Sequence, residues 1–259
     1  MGLTPESLSP LSVSKVSASY GKTQILTDIS FQLKAGEVFG LIGLNGAGKT
    51  TLIRSILSLG QSIGDVEFFG QPNHVASSRR KMIYLPEKFM PAPQLNGWEH
   101  LSLVLRYFNQ QIDRDRAKHI SEGLGFDTAA LNRRVRTYSK GMGQKLGLIG
   151  VVLADVPLMI LDEPMSGLDP RSRVLLKDRL LEAREQGRTV FFSSHILADI
   201  EEICDRIGII HGGQLIFLGS PVDFVTQSDA TNLERAFLSA IDKSDDKNQA
   251  TETGKPQAA

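Results

Sequence analysis

The chain of 259 residues holds a single cysteine, Cys204, and a single tryptophan, Trp98. One thiol closes no disulfide within the chain and builds no cysteine zinc site, so disulfide scaffolds and zinc knuckles are excluded and a reducing compartment fits. Cys204 itself reads as a small buried hydrophobe. Charge of either sign is not in excess, with 29 Lys and Arg against 29 Asp and Glu. No net field draws the chain to nucleic acid or anionic lipid, and no nucleic-acid partner is expected. Long apolar runs are missing too. The longest apolar region, Leu146 to Leu161, is interrupted by Asp155 and Pro157, whereas a membrane span needs roughly 20 nearly uninterrupted apolar residues. The first residues lack a basic stretch followed by an apolar one, so no secretory signal is expected. A soluble chain is the expectation.

What is present begins with Gly43 to Thr51, G-L-N-G-A-G-K-T-T. It fits G-x-x-x-x-G-K-[ST], a loop whose glycines let backbone N–H groups approach phosphate oxygens without a Cβ in the way. Val38 to Ile42 before it is a short apolar run of the kind a buried parallel strand shows, and Leu52, Ile53, Ile56 and Leu57 after it recur at helical spacing. Strand, loop and helix thus come in the order that aims the N–H groups of Gly43, Leu44, Asn45, Gly46, Ala47, Gly48, Lys49, Thr50 and Thr51 at phosphates. Lys49 is expected on the terminal phosphates and the Thr50 hydroxyl on Mg²⁺. A nucleoside triphosphate is the expected ligand.

Hydrophobic periodicity organises the rest. Ile29, Phe31 and Leu33 alternate with polar residues, as do Val66 and Phe68, which predicts a small antiparallel sheet. Beyond Pro86, with Pro91, Pro93 and Gly97 as breaks, Leu101, Val104, Leu105 and Phe108 mark a helix face, and Asp113 to Gly125 and Gly143 to Ala154 are also helical in pattern. Residues of about 90 to 150 therefore read as an inserted helical subdomain. Strand patterns return at Leu158 to Leu161 and Thr189 to Ser194, with Leu176, Leu180 and Ala183 sharing a helix face between them. This alternation predicts an α/β fold with a mostly parallel sheet. Ile207 to His211 and Gln214 to Leu218 flank Gly212-Gly213, a hairpin signal. The expected layout is a flexible segment 1–10, one ATPase domain over 11–230 and a C-terminal extension over 231–259, disordered after residue 241.

A second motif narrows the chemistry. The apolar run Leu158 to Leu161 leads into Asp162-Glu163-Pro164, which places two acids at the carboxyl edge of the sheet, where ligands bind in open α/β folds. Asp162 is expected to hold Mg²⁺ through water, and Glu163 to orient or deprotonate the attacking water. His195, at the end of the next strand, is expected to hydrogen-bond the terminal phosphate. His74, His100, His119 and His211 lack such a setting and receive no role.

With these residues in place, the chain resembles the ATP-binding subunit of an ABC transporter. Tyr138 to Lys145, Y-S-K-G-M-G-Q-K, resembles the family's signature at the start of a helix, and order and spacing agree over roughly residues 11 to 225. The resemblance implies a dimer with a second copy of the chain, in which each ATP lies between one phosphate loop and the opposite signature, here Ser139, Lys140, Gly141 and Met142. It implies that Tyr20 stacks on adenine, that Asp169 links the two sites, and that Glu87 lies at the lip of the helical subdomain as a catalytic or Mg²⁺-binding group. Two departures stand out: the usual L-S-G-G-Q is Y-S-K-G-M, and Glu87 stands where the family commonly has glutamine. Both variants resemble a branch that drives separately encoded exporter permeases. The implied setting is cytoplasmic, peripheral on the inner face of the cell membrane, with an integral membrane permease as partner, met near Glu87 and the segment from Phe89 to Trp98. Trp98 reads equally as core. A soluble ABC ATPase acting on ribosomes or nucleic acid is the alternative, and a small-molecule P-loop kinase ranks third because it leaves Tyr138 to Lys145 unexplained.

Overall fold

The computed structural model describes residues 8–253. Strands β1 (Ser12–Tyr20) and β2 (Thr23–Gln32) form an antiparallel pair, and β3 (Val38–Ile42) follows, buried along its whole length. The phosphate loop leads into α1 (Lys49–Ile56). Strands β4 (Ile63–Phe68) and β5 (Gln71–Pro72) return to the first pair, giving an antiparallel sheet of order β2-β1-β4-β5. A short helix α2 (Ala76–Arg79) then leads to β6 (Met82–Leu85). Ile29, Phe31, Leu33, Val66 and Phe68 all bury their side chains, as their alternation predicts.

Between β6 and the next strand the chain makes α3 (Gly97–Tyr107), α4 (Arg114–Gly123) and α5 (Lys140–Ala154). Each start is chemically marked. Asn96 and Glu99 form a capping box on α3, Asp113 caps α4, and Ser139 caps α5 by accepting from the Met142 N–H at 3.2 Å. The cap at Ser139 starts α5 three residues ahead of the apolar repeat that announces it. Trp98 packs against the helical core with the Arg114 guanidinium 5.0 Å from its ring centroid, which assigns it to packing rather than to a free surface.

The second half supplies β7 (Leu158–Asp162), α6 (Pro170–Glu185), β8 (Thr189–Ser194), α7 (Leu197–Ile203), β9 (Arg206–His211), β10 (Gln214–Gly219), α8 (Pro221–Gln227) and α9 (Leu233–Thr253). The larger sheet has the order β10-β9-β3-β8-β7-β6 and is parallel except for β10. Gly212 and Gly213 turn the β9–β10 hairpin at φ 54° and 72°, angles that suit glycine. Each face of this sheet carries a core. Val38 and Ile42 of β3 face the helices, whereas Phe39 and Leu41 face the antiparallel sheet, where the rings of Phe31, Phe39 and Phe191 stack at centroid separations of 5.5 to 6.1 Å.

At the C-terminal end, α9 runs past Ile241 to Thr253. Leu233, Ala236, Phe237 and Ile241 dock its first turns, and once a helix is nucleated each added residue gains a hydrogen bond without the nucleation cost. His211 Nε2 lies 2.7 Å from Asp245 Oδ1, a contact to the polar part of this helix. At the other end Leu33 N donates to Leu11 O at 2.9 Å, and Ser9 Oγ lies within 2.8 Å of both Leu11 O and Leu33 O, so residues 9–11 are tied down. Residues 1–7 of the expected flexible segment and 254–259 of the expected tail lie outside the described residues.

Candidate active site

Sheet order places the site. β3, β8 and β7 are adjacent, and from their carboxyl ends emerge the phosphate loop, His195, and Asp162 with Glu163. Ile42 pairs with Ser194 and Asp162 with Ser193 in the ladder, so three segments distant in sequence end at one level.

The loop is shaped for phosphate. Gly46 and Gly48 adopt φ 84° and 109°, and a Cβ on Gly48 would fall 2.7 Å from Leu26 Cδ2. A Cβ on Gly43 would fall 2.7 Å from the Ile210 carbonyl oxygen. No side chain caps α1, and its first turn holds no acid, so the first amides of this helix remain available to an anion. Lys49, 6% exposed, donates from Nζ to Gly43 O at 2.8 Å and lies 3.4 Å from Glu163 Oε1. Glu163 in turn meets His195 Nδ1 through Oε2 at 2.8 Å. Because an ionised carboxylate only accepts, this contact puts the proton on Nδ1.

A cleft of about 390 Å³ gathers Tyr20, Ile25, Leu44, Asn45, Gly46, Gly48, Lys49, Thr50, Thr51, Glu87, Glu163 and His195. Asp162, 1% exposed, lies beneath it. Burial raises the Asp162 carboxyl above its ordinary range, against hydrogen bonds from Ser193 and Thr50 that favour its charged form. Burial also pushes the nearby Tyr84 hydroxyl up to about 12, with the Asp162 charge adding to the effect. The donor set fits ATP, with open helix amides and a buried cation at the loop. For Mg²⁺ the fit is partial, as its chemistry requires. Among the described residues no three His, Cys, Asp or Glu side chains converge on one point, and Mg²⁺ characteristically takes one or two carboxylates together with substrate phosphates and water. Thr50 and Asp162, with Glu87 at the rim, would supply that smaller set.

The signature residues stand apart. Ser139, Lys140, Gly141, Met142 and Asp169 do not line the cleft. They cluster with one another instead: a Cβ on Gly141 would lie 3.5 Å from Gly167 O, and Lys145 Nζ is 3.8 Å from Asp169 Oδ2. Asp169 caps α6 by accepting from Ser172, whose hydroxyl and N–H hold its carboxyl below the usual range. Ser139 and Lys140 are exposed.

The profile of the family described as ABC transporter matches residues 26–166, more than half of the chain. The chain belongs to the ABC transporter family. An uncharacterized ABC transporter ATP-binding protein of Synechocystis sp. is 40% identical over 205 residues, which cover 77% of this chain and 57% of that protein. The Nod factor export ATP-binding protein I of Rhizobium leguminosarum bv. viciae is 36% identical over 222 residues, covering 83% of this chain and 71% of that one. A solved ATP-binding subunit of an ABC transporter superposes with a TM-score of 0.79 at 30% identity, over 89% of this chain and 98% of its own. The chain spans 57% of the Synechocystis protein's length and 61% of that of an uncharacterized ABC transporter ATP-binding protein of Nostoc sp.. As an ABC family member it carries no helix, among the described residues, long and apolar enough to cross a membrane.

One contributor to this ABC site carries no motif of its own. Ser193 is buried between Asp162 and Glu163 and contacts both. Only its place in β8, a hydroxyl following Val190, Phe191 and Phe192, marks it in the sequence.

Proposed function

We propose that this chain binds and hydrolyses Mg·ATP and that its ATP-driven dimerisation powers a separately encoded membrane permease, working in export. The chain of contacts from Lys49 through Glu163 to His195, at 3.4 and 2.8 Å inside the phosphate-loop cleft, carries the reading. A terminal phosphate entering beside Lys49 competes with Glu163 for its ammonium. Glu163 is then free to accept a proton from a water, while His195 and Lys49 hold the phosphate. The water oxygen bonds to the γ-phosphorus as the bond to the bridging oxygen breaks, and ADP leaves with that oxygen. Thr50 and Asp162, with Glu87 nearby, would hold Mg²⁺, which would supply positive charge to the phosphate oxygens.

The separation of the signature from this cleft supports a second subunit. Ser139 to Met142 lie at an exposed helix start without an acid in its first turn, an arrangement suited to the opposite subunit's γ-phosphate. Lys140 adds a cation there. Tyr20, 57% exposed at the cleft edge, is free to stack on adenine. The permease is expected near Glu87 and the segment from Phe89 to Trp98, and on an apolar groove of about 350 Å³ bordered by Leu57, Leu59, Met82, Tyr84, Tyr107 and Phe108, of which Met82 and Tyr84 precede Glu87 by a few residues. This groove extends the expected contact beyond the segment from Phe89 to Trp98. The setting that follows is the cytoplasmic face of the membrane.

The test is Glu163→Gln, which keeps shape and removes the base. Turnover is expected to collapse while ATP is retained and closed dimers accumulate in light scattering. Captured from detergent-solubilised native membranes with ATP, this variant is expected to bring a stoichiometric polytopic protein. Unaltered hydrolysis removes Glu163 as the base, and ribosomal or DNA-bound partners without a membrane protein replace the transport reading with a soluble ABC ATPase.

A further inference from the structure

Strand β8 reads T-V-F-F-S-S, and Val190, Phe191 and Phe192 are wholly buried. Ser193 continues that buried run with 0% exposure, yet it places a hydroxyl where the strand otherwise packs hydrocarbon. A buried hydroxyl is costly without partners. Ser193 has two, and both belong to the candidate catalytic pair.

Its Oγ lies 2.6 Å from Asp162 Oδ1 and accepts the Glu163 N–H at 2.9 Å. Since toward Glu163 the oxygen is the acceptor, its single proton goes to Asp162, which the bond favours in the ionised form. The second partner is held in an unusual shape. Glu163 has φ 48°, a left-handed conformation that an L side chain with Cβ adopts only where its surroundings impose it. The Ser193 hydroxyl supplies one such restraint on the backbone from which the Glu163 side chain reaches Lys49 and His195.

We propose that Ser193 is a positioning residue, holding Asp162 toward the metal position and Glu163 toward the water position in fixed register. The assignment rests on the Mg·ATP hydrolysis reading above. Ser193 is fully buried and does not line the cleft, so its loss is expected to act on turnover and on the Mg²⁺ requirement, and to leave nucleotide affinity in place. Partners that orient metal-binding groups are worth about 10–100-fold in metal affinity or activity.

Four variants separate the hydroxyl from packing. Ser193→Ala deletes it. Ser193→Thr and Ser193→Val add the same bulk, but only Thr keeps the oxygen. In the full chain, Ala and Val are expected to lower kcat or raise the Mg²⁺ half-saturation about 10–100-fold, with ATP affinity measured by calorimetry unchanged. Thr is expected to retain turnover within a few-fold. The fourth, Lys49→Ala, is the control for the parent reading. A readout independent of turnover is hydrogen exchange of the Glu163 amide without nucleotide, expected to be faster in Ala and Val than in the parent and Thr. Parental turnover and Mg²⁺ dependence in Ser193→Ala overturn the assignment, as does a folded Thr variant that behaves like Val. If the parent itself shows no hydrolysis that Lys49→Ala abolishes, the ATPase reading has failed instead, and the exchange comparison still decides whether Ser193 holds the Glu163 backbone.

Discussion

Two glycines three residues apart on α5 are expected to respond in opposite ways to the same added methyl. A Cβ on Gly147 would lie 2.6 Å from Leu85 Cδ1 and 2.8 Å from Phe89 Cδ1 and Cε1, whereas a Cβ on Gly150 would lie 3.7 to 3.8 Å from Leu101 and Val104, in ordinary contact. Alanine gains roughly 0.5–1 kcal/mol over glycine inside a helix at either position. At Gly147 the neighbours must retreat by about 1 Å to reach normal carbon separations. Leu85 cannot easily do so, because it is 2% exposed and enclosed in the core. Phe89 must move instead, and overpacking of this kind costs about 1–3 kcal/mol. Gly147→Ala is therefore expected to destabilise by roughly 1–2 kcal/mol and Gly150→Ala to stabilise by roughly 0.5–1 kcal/mol. Urea unfolding at equilibrium, with slopes compared, measures both. The functional readout follows from position, since Glu87 lies between Leu85 and Phe89. Gly147→Ala is expected to lower ATP turnover, and Gly150→Ala to leave it unchanged. A Gly147→Ala protein as stable as Gly150→Ala, with parental turnover, refutes the packing argument and with it the mechanical link from α5 to the lip.

Lys49→Ala is expected to weaken ATP binding about 10–100-fold, the worth of charge-assisted hydrogen bonds; full affinity by calorimetry counts against the loop assignment. Glu87→Gln is expected to change the Mg²⁺ dependence of turnover, and an unchanged titration removes Glu87 from the metal. His100 is buried against Phe89 with its ring centroid 5.6 Å away, and burial alone pushes its pKa down. Above about pH 6.5 it is neutral in both states and contributes nothing to pH dependence. Below that value the unfolded chain takes up a proton that the folded chain resists, so stability falls with pH. In His100→Leu this acid limb is expected to be shallower, as read from urea midpoints across that range; a parental slope assigns the limb to other groups.

The fold was most legible where one physical cause dominated. β3, β7 and β8 are buried along their length and read as short apolar runs, Val38 to Ile42, Leu158 to Leu161 and Val190 to Phe192, and the hairpin at Gly212-Gly213 is announced by the paired glycines, whose backbone angles suit that residue. β1 is harder to see, because V-S-K-V-S-A-S-Y is diluted with serine and its register against β2 shifts repeatedly. β6 has only four residues, too few for a period. The polar end of α9 shows no apolar repeat past Ile241, since its helicity follows from turns docked earlier in the same helix. The site divides along the same line. Loop glycines, the acid pair after β7 and the histidine after β8 are placed by the strand that precedes each, so a linear reading reaches them. Contacts between strands are set by sheet order, which no single segment contains. The pairing of Asp162 with Ser193 exists only because β7 lies beside β8, and the pairing of Lys49 with Glu163 only because β8 alone separates β3 from β7. A residue whose role is to hold two others is therefore invisible until the ladder is known, even when both of its partners are plain in the sequence.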